Sequence, residues 1–239
     1  RPVIEISCGS YHNLCLLSSG SVAVWGSGEQ LGLGVFMGNG DQHTPIILSA
    51  LAKNRIRHVS SGPDYSMVVS HSGDLYSWGS NNTGQLGHGD KKARLIPCIV
   101  TSLQKDNQNG RVVAMSCGTL HALAQTSTGR LYAWGGNNNG QLGLGDTKTR
   151  LQPTRISKLG KHSVISISAG GRQSIVLTEE QRMFAWGICG AVVHMQKTIM
   201  YDPDADNTVF ESRVPKEIPF NMGVGRSPRD VHISRNSSM

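Results

Sequence analysis

All four tryptophans of the chain are followed by glycine: Trp25-Gly26, Trp78-Gly79, Trp134-Gly135 and Trp186-Gly187. They stand 53, 56 and 52 residues apart, and a glycine lies sixteen residues ahead of each one, at Gly9, Gly62, Gly118 and Gly170. The offset before the tryptophan is constant and the length after it varies. A rigid block from glycine to tryptophan therefore recurs four times, with loops between the copies. Self-similarity at a fixed period of this size is the signature of a repeat architecture, and it constrains the fold before any single residue does.

Each block contains three short apolar stretches. The first runs Ile4–Ser7, Ile56–Val59, Val112–Met115 and Val164–Ile167 in the four copies, and the second Leu14–Leu17, Met67–Val69, Ala122–Ala124 and Ile175–Leu177. The third ends on the tryptophan: Val22–Trp25, Leu75–Trp78, Leu131–Trp134 and Met183–Trp186. Apolar runs of this length, punctuated by glycine, are strands and are too short for helices. Ser19-Gly20, Ser72-Gly73 and Thr128-Gly129 are hairpin turns joining the second stretch to the third.

A second signature follows the tryptophan. Asn81-Asn82-Thr83-Gly84-Gln85-Leu86-Gly87-His88-Gly89-Asp90 matches Asn137-Asn138-Asn139-Gly140-Gln141-Leu142-Gly143-Leu144-Gly145-Asp146, and copy one has Gln30-Leu31-Gly32-Leu33-Gly34. Pro45, Pro97 and Pro153 then enter a further apolar segment. Proline there fits an outermost strand, where no ladder N–H is required. Four strands per repeat at this spacing predict propeller blades. Composition agrees: 29 glycines in 239 residues and only 16% charged residues suit short strands and tight turns.

The combination of Ser-x-Gly and His, a strand ending in Trp-Gly, and Asn-x-x-Gly-Gln-Leu-Gly-x-Gly-Asp resembles the regulator-of-chromosome-condensation repeat. The resemblance covers residues 3–190 and implies an all-β fold, a partial β-propeller of about four blades out of an expected seven. It divides the chain into repeats at 3–53, 54–109, 110–161 and a degenerate 162–190. Residues 191–222 form an insertion with a last blade strand at Val214–Phe220, and 223–239 a flexible tail. Copy four departs from the pattern. Gln181 stands where the turn glycine belongs, and Ile188-Cys189-Gly190-Ala191 replaces the Gln-Leu-Gly corner. Tyr65 and Gln173 stand where copies one and three have His12 and His121. A ring this short, beginning at Arg1, reads as part of something longer, with unpaired sheet edges near Val3–Ser7 and around blade four. Edge pairing or self-association of the isolated chain is expected.

Catalysis is not expected. His12 and His121 share one repeat position with no recurring carboxylate or nucleophile, and read as buried structural groups. Gly26-x-Gly28 and Gly32-x-Gly34 lack the third glycine and the helix that a phosphate cradle needs. Asp202-Pro203-Asp204-Ala205-Asp206-Asn207 begins like a calcium loop, but Asn207 and Arg213 occupy its glycine and glutamate positions. The five cysteines form no CxxC pair, so no metal, cofactor or disulfide framework is expected, and reduced thiols point to the cytoplasm or nucleus. No apolar run is long enough for a transmembrane helix. Asn81-Asn82-Thr83 is a formal glycosylation sequon inside the repeat signature, and Ser227-Pro228 a candidate phosphorylation site.

The whole net charge of +7 lies in residues 1–187. Past the Gly-Asp corners, Lys91, Lys92 and Arg94 of copy two match Lys148 and Arg150 of copy three, so register alone puts a basic rim on one side of the propeller. Phe36 and Met37, between glycines in the copy-one loop, are a second candidate contact. These seven residues are the candidate partner-binding set. The resulting expectation is a non-enzymatic protein-interaction module of a larger regulatory protein, docking a small GTPase or another acidic surface. The family resemblance also implies three alternatives: a guanine-nucleotide exchange factor, a chromatin-binding module, and the substrate-recognition part of a ubiquitin ligase. Nucleic acid is a weaker partner class, because no aromatics interleave with the charges.

Overall fold

The computed structural model describes residues 2–34, 41–104, 110–189 and 210–218. Among these residues, sixteen strands form four antiparallel sheets of four. Blade one comprises β1 (Val3–Cys8), β2 (His12–Leu17), β3 (Val22–Gly26) and β4 (Gln42–Ile47). Blade two comprises β5 (Ile56–Ser61), β6 (Tyr65–Ser70), β7 (Leu75–Gly79) and β8 (Arg94–Ile99). Blade three comprises β9 (Val112–Cys117), β10 (His121–Thr126), β11 (Leu131–Gly135) and β12 (Arg150–Arg155). Blade four comprises β13 (Val164–Gly170), β14 (Gln173–Thr178), β15 (Met183–Cys189) and β16 (Phe210–Ile218). These are blades of a propeller of the type that the sequence pattern implied. β16 begins four residues earlier than the sequence reading placed it, because its pairing with β15 runs out to Cys189 and Phe210.

The register is the same in each blade. The residue opening the second strand lies opposite the glycine that ends the third: His12 and Gly26, Tyr65 and Gly79, His121 and Gly135, Gln173 and Gly187. Pro45, Pro97 and Pro153 lie in β4, β8 and β12, the outermost strands, whose free side asks for no ladder N–H. The hairpin turns use Gly20, Gly73 and Gly129 at φ 83°, 91° and 76°. In copy four the turn keeps this conformation without glycine, at Gln181, φ 60°, which is the one non-glycine residue with positive φ among the described residues.

The apolar core lies between blades. Leu14, Leu16, Val22 and Val24 of blade one pack with Ile56, Val59, Val68 and Trp78 of blade two, and Leu31 of the copy-one corner joins them. Met67, Val69 and Leu86 meet Val112, Ala122, Tyr132 and Trp134 across the second seam. Leu123, Leu131 and Leu142 meet Val164, Val176, Phe184 and Trp186 across the third. Each sheet therefore has a leading face toward the blade before it and a trailing face toward the blade after it.

This arrangement changes the expectation about edges. β1, β5, β9 and β13 are all terminal strands of their own sheets, so an in-plane free edge is common to every blade. Blade one is singled out by its leading face. Ile6 is 69% exposed where the equivalent Val59 is 5%, and Val3 is 53% exposed where Ile56 is 1%.

Candidate functional site

Two kinds of site emerge, the seams between blades and the loops at the sheet ends. Each seam carries the same set of hydrogen bonds. The Trp78 indole Nε1 donates to Gln30 O at 2.7 Å, Trp134 to Gln85 O at 2.8 Å, and Trp186 to Gln141 O at 2.8 Å. The Gln-Leu-Gly corner of one blade is thus the socket for the tryptophan of the next. A Cβ on Gly32, Gly87 or Gly143 would lie 2.6, 2.8 or 2.7 Å from that indole nitrogen, which explains glycine at this corner position. A serine of the first strand accepts the neighbouring blade's backbone N–H: Ser7 from Ser61 at 2.9 Å, Ser60 from Cys117 at 3.1 Å, Ser116 from Ala169 at 2.9 Å. The corner also donates onward, from Gly34 N to Leu95 O, Gly89 N to Leu151 O and Gly145 N to Arg213 O, all at 2.8–2.9 Å.

The two histidines belong to these seams. His12 Nε2 lies 2.8 Å from Ser66 Oγ, and His121 Nε2 lies 2.9 Å from Ser174 Oγ. Each serine hydroxyl spends its proton on a corner carbonyl, Gln30 O at 2.9 Å or Gln141 O at 2.8 Å. The imidazole Nε2 must therefore be the donor in both rings. Burial pushes His121 down to about 4, against a smaller opposing effect of the Gln173 backbone. The departure at Tyr65 now has a reason. Blade three has Ala122 where blades two and four have serine, and the Tyr65 hydroxyl instead reaches the backbone carbonyls of Gly118 and His121 at 3.0 and 2.6 Å. These groups hold blades together, and the serine beside each histidine is fully buried with its proton committed to a corner carbonyl.

The basic loops sit where the third strand passes to the fourth, at the same end of neighbouring sheets. Arg94 and Arg150 are not free there. Arg94 Nη2 donates to Asp90 at 2.8 Å and its Nη1 to Lys92 O at 2.7 Å, and Arg150 repeats both bonds with Asp146 and Lys148 at 2.7 Å. The guanidinium hydrogen bond, then the lysine backbone N–H, hold Asp90 and Asp146 below the usual carboxylate range. Asn81 completes the brace, giving its amide protons to Asp90 O and Lys92 O and accepting from Leu86 N. Asn137 does the same in blade three. The sequon asparagine is therefore buried and committed. Lys91, Lys92 and Lys148 are left exposed at the rim of a braced loop.

Tyr11, 70% exposed, and Leu120 crown the first-to-second strand turns at the same sheet end. Their carbonyls accept from Ser27 N at 2.8 Å and Gly136 N at 2.7 Å, which ties these turns to the corner loops. Sequence reasoning missed both, although they occupy one repeat position, two residues after the seam glycines. It also missed the hairpin end, where Lys53, Arg55, Arg111, Lys158 and Lys161 are exposed. Arg55 and Arg111 immediately precede β5 and β9, a recurrence visible in register. Phe36, Met37, the acidic 202–207 loop and Ser227 lie outside the described residues. Among the described residues, no group of His, Cys, Asp and Glu could hold a metal ion, and no helix is long and apolar enough to cross a membrane.

Residues 1–225 match the profile of the RCC1-like domain. The chain belongs to the RCC1-like domain family. The RCC1-like chain is 34% identical over 185 residues to the ultraviolet-B receptor UVR8 of Arabidopsis thaliana, covering 77% of itself and 40% of that protein. It is 44% identical over 131 residues to the human X-linked retinitis pigmentosa GTPase regulator, covering 54% of itself and 12% of the relative. The solved structure of Prp20p from Saccharomyces cerevisiae superposes with a TM-score of 0.70 at 19% identity, covering 97% of this chain and 54% of that one. The chain thus spans less than half the length of these curated relatives and about half of the solved propeller. The match to Prp20p supports the propeller fold seen here.

Proposed function

We propose that this RCC1-like propeller is a non-catalytic module that docks an acidic protein surface on its corner end. The observation that carries the reading is the repeated brace of Asp90 with Arg94 and Asp146 with Arg150. It fixes Lys92 and Lys148 at equivalent, exposed positions on adjacent blades, with Lys91 beside them and the apolar Tyr11 and Leu120 nearer the axis. Surface ion pairs of this kind contribute no more than about 1 kcal/mol to stability, so their value lies in holding loop geometry. Charged rims around apolar centres give specificity and association rate. The relatives support the coarse reading too, since a light receptor and a GTPase regulator share this repeat and differ in activity.

The test is affinity capture with three versions of the chain. Partners retained by the wild type should be lost from the Lys91→Glu/Lys92→Glu/Lys148→Glu variant. They should be kept by Lys53→Glu/Lys161→Glu, whose charges lie at the opposite end. Equal retention by both variants removes the corner end as the docking surface. Small-molecule turnover by the purified chain would remove the non-catalytic reading itself.

The similarity to a GTPase regulator favours one second reading, nucleotide exchange on a small GTPase. Fluorescent-nucleotide release from a panel of small GTPases, with and without the chain, separates the two. Acceleration that disappears in the triple lysine variant establishes exchange through the same end, and none across the panel discards it.

A further inference from the structure

The first strands β1, β5, β9 and β13 end their sheets on the axial side, so every second residue turns its backbone N–H and C=O out of the ladder. Hydrogen bonds between blades show which residues these are. Val59 N and Ser61 N donate to Glu5 Oε2 and Ser7 Oγ at 3.1 and 2.9 Å, Cys117 N to Ser60 Oγ at 3.1 Å, and Ala169 N to Ser116 Oγ at 2.9 Å. Met115 and Ile167 hold the position of Val59, two residues before Cys117 and Ala169, so their N–H groups turn outward too.

The residue that can cover this N–H comes from the blade before: Glu5 in blade one, His58 in blade two and Ala114 in blade three. Glu5 shows what the position accepts. Its carboxylate takes the Val59 N–H, with His58 Nδ1 at 3.6 Å. Ala114 has no acceptor to offer to Ile167 N. We propose that the axial side of the seam between blades three and four, at Ala114 and Ile167, is a binding subsite for one carboxylate group of a ligand.

Four further features fit that ligand. Ser166 stands there in the place of His58, and its hydroxyl has no partner among the described residues. Arg57 supplies the charge: its Nη2 donates at 3.2 Å to Val113 O, the carbonyl next to Ala114, while Nε and Nη1 have no partner among the described residues. Guanidinium and backbone N–H groups together make charge-assisted bonds to a carboxylate. Glu5, bound in the first seam, is the only acidic residue of the four first strands, so none of them carries a second acid to fill the place. Ile165, 46% exposed, and Val113 border it and suit a carboxylate carried on an apolar body. The group belongs either to an acidic side chain of an extended peptide or to a free small carboxylate. The subsite stands independently of the corner-end lysines.

The test is a titration of the chain at pH 7, followed through its amide proton–nitrogen NMR spectrum. One probe is propionate, and the other is acetyl-Ile-Glu-Ile-amide, which repeats Ile4-Glu5-Ile6. Sodium chloride at matched ionic strength is the control. A saturable shift of the Ile167 amide is expected. A peptide that binds tighter than propionate assigns the site to an acidic side chain, and one that binds no tighter assigns it to a free carboxylate. Ala114→Glu, which rebuilds the Glu5 arrangement in this seam, should abolish the shift. Arg57→Gln should weaken binding about ten-fold. The Lys91→Glu/Lys92→Glu/Lys148→Glu variant should bind as the wild type does, which separates this subsite from the docking surface. No Ile167 shift with either probe, or an equal shift with sodium chloride, overturns the proposal. So does unaltered affinity in either Ala114→Glu or Arg57→Gln.

Discussion

Blades one and three are built from nearly the same residues in different surroundings. Both have a tryptophan opposite the second residue of the second strand, a histidine opening that strand, and a cysteine before the seam glycine. In blade three Trp134 and Cys117 are buried, because blade two supplies Gln85 O and Ser60 Oγ. In blade one Trp25 is half-buried and Cys8 exposed. The difference lies in the neighbour and not in the strand. A repeat in this fold is half of two interfaces, and its residues acquire their energetic weight only when the adjacent repeat is present.

That comparison is most directly broken at the tryptophans. Trp134→Ala should cost about 4 kcal/mol in denaturant unfolding, through the cavity and the orphaned Gln85 carbonyl. Trp25→Ala should cost less, about 1–2 kcal/mol, because its ring is only half-buried. Equal costs would mean that the leading face of blade one is covered after all.

Protonation probes a seam from within. Folded His121, at about 4, stays neutral where the unfolded side chain, at its ordinary 6.5, takes up a proton. Stability is therefore full above about 6.5, falls as pH drops toward 4 and levels off below, losing at most about 3 kcal/mol from this group. His121→Gln should flatten the slope of melting temperature against pH in that window. A slope unaltered by the substitution would place the titrating group elsewhere.

Two glycines of similar backbone separate strain from packing. Gly87 at φ +81° has the Trp134 indole 2.8 Å from its virtual Cβ, while Gly129 at φ +76° has nothing within 4 Å. Gly129→Ala should cost about 1 kcal/mol, the left-handed penalty alone. Gly87→Ala should cost about 2–3 kcal/mol, since the seam must also shift. Matching values in calorimetry would show that the corner yields without disturbing its tryptophan. The smallest effect belongs to blade four, where Gln181→Gly should raise stability by under about 1 kcal/mol by relieving its positive φ. A loss would show that the Gln181 side chain contributes more than its backbone costs.

The strands, their order and the four-blade count were legible because they rest on local pattern: apolar runs, turn glycines, and a tryptophan at a fixed offset. The seams were less so. Ser7, Ser60 and Ser116 look like ordinary strand residues, and only partners about one repeat away reveal their role. Tyr65 read as a departure from His12 until Ala122 was seen to lack the hydroxyl that a histidine needs. The basic rim was half readable. Its lysines are exposed as register implied, but Arg94 and Arg150 are spent on Asp90 and Asp146, a pairing signalled by the recurring Asp-x-x-x-Arg spacing. Exposure at Ile6 followed only from the partial ring, which implied an unpaired edge near Val3–Ser7; the strand residues themselves gave no sign of it, since Val59 has the same chemistry and the opposite environment.

The serine and ring bonds across the seams join residues 53 to 57 positions apart, and the tryptophan bonds span 45 to 49. During synthesis, a finished blade must therefore wait for about fifty more residues before its trailing face can close. At about 5–20 residues per second, that wait lasts several seconds, longer than the collapse of a hairpin by orders of magnitude. Leu14, Leu16, Val22 and Val24 would spend that interval wet, and the same pause recurs with Met67 and Val69 and then with Leu123 and Leu131. The ribosome would thus present a chaperone with one sticky sheet face at a time, renewed at each repeat and withdrawn as the next tryptophan finds its corner.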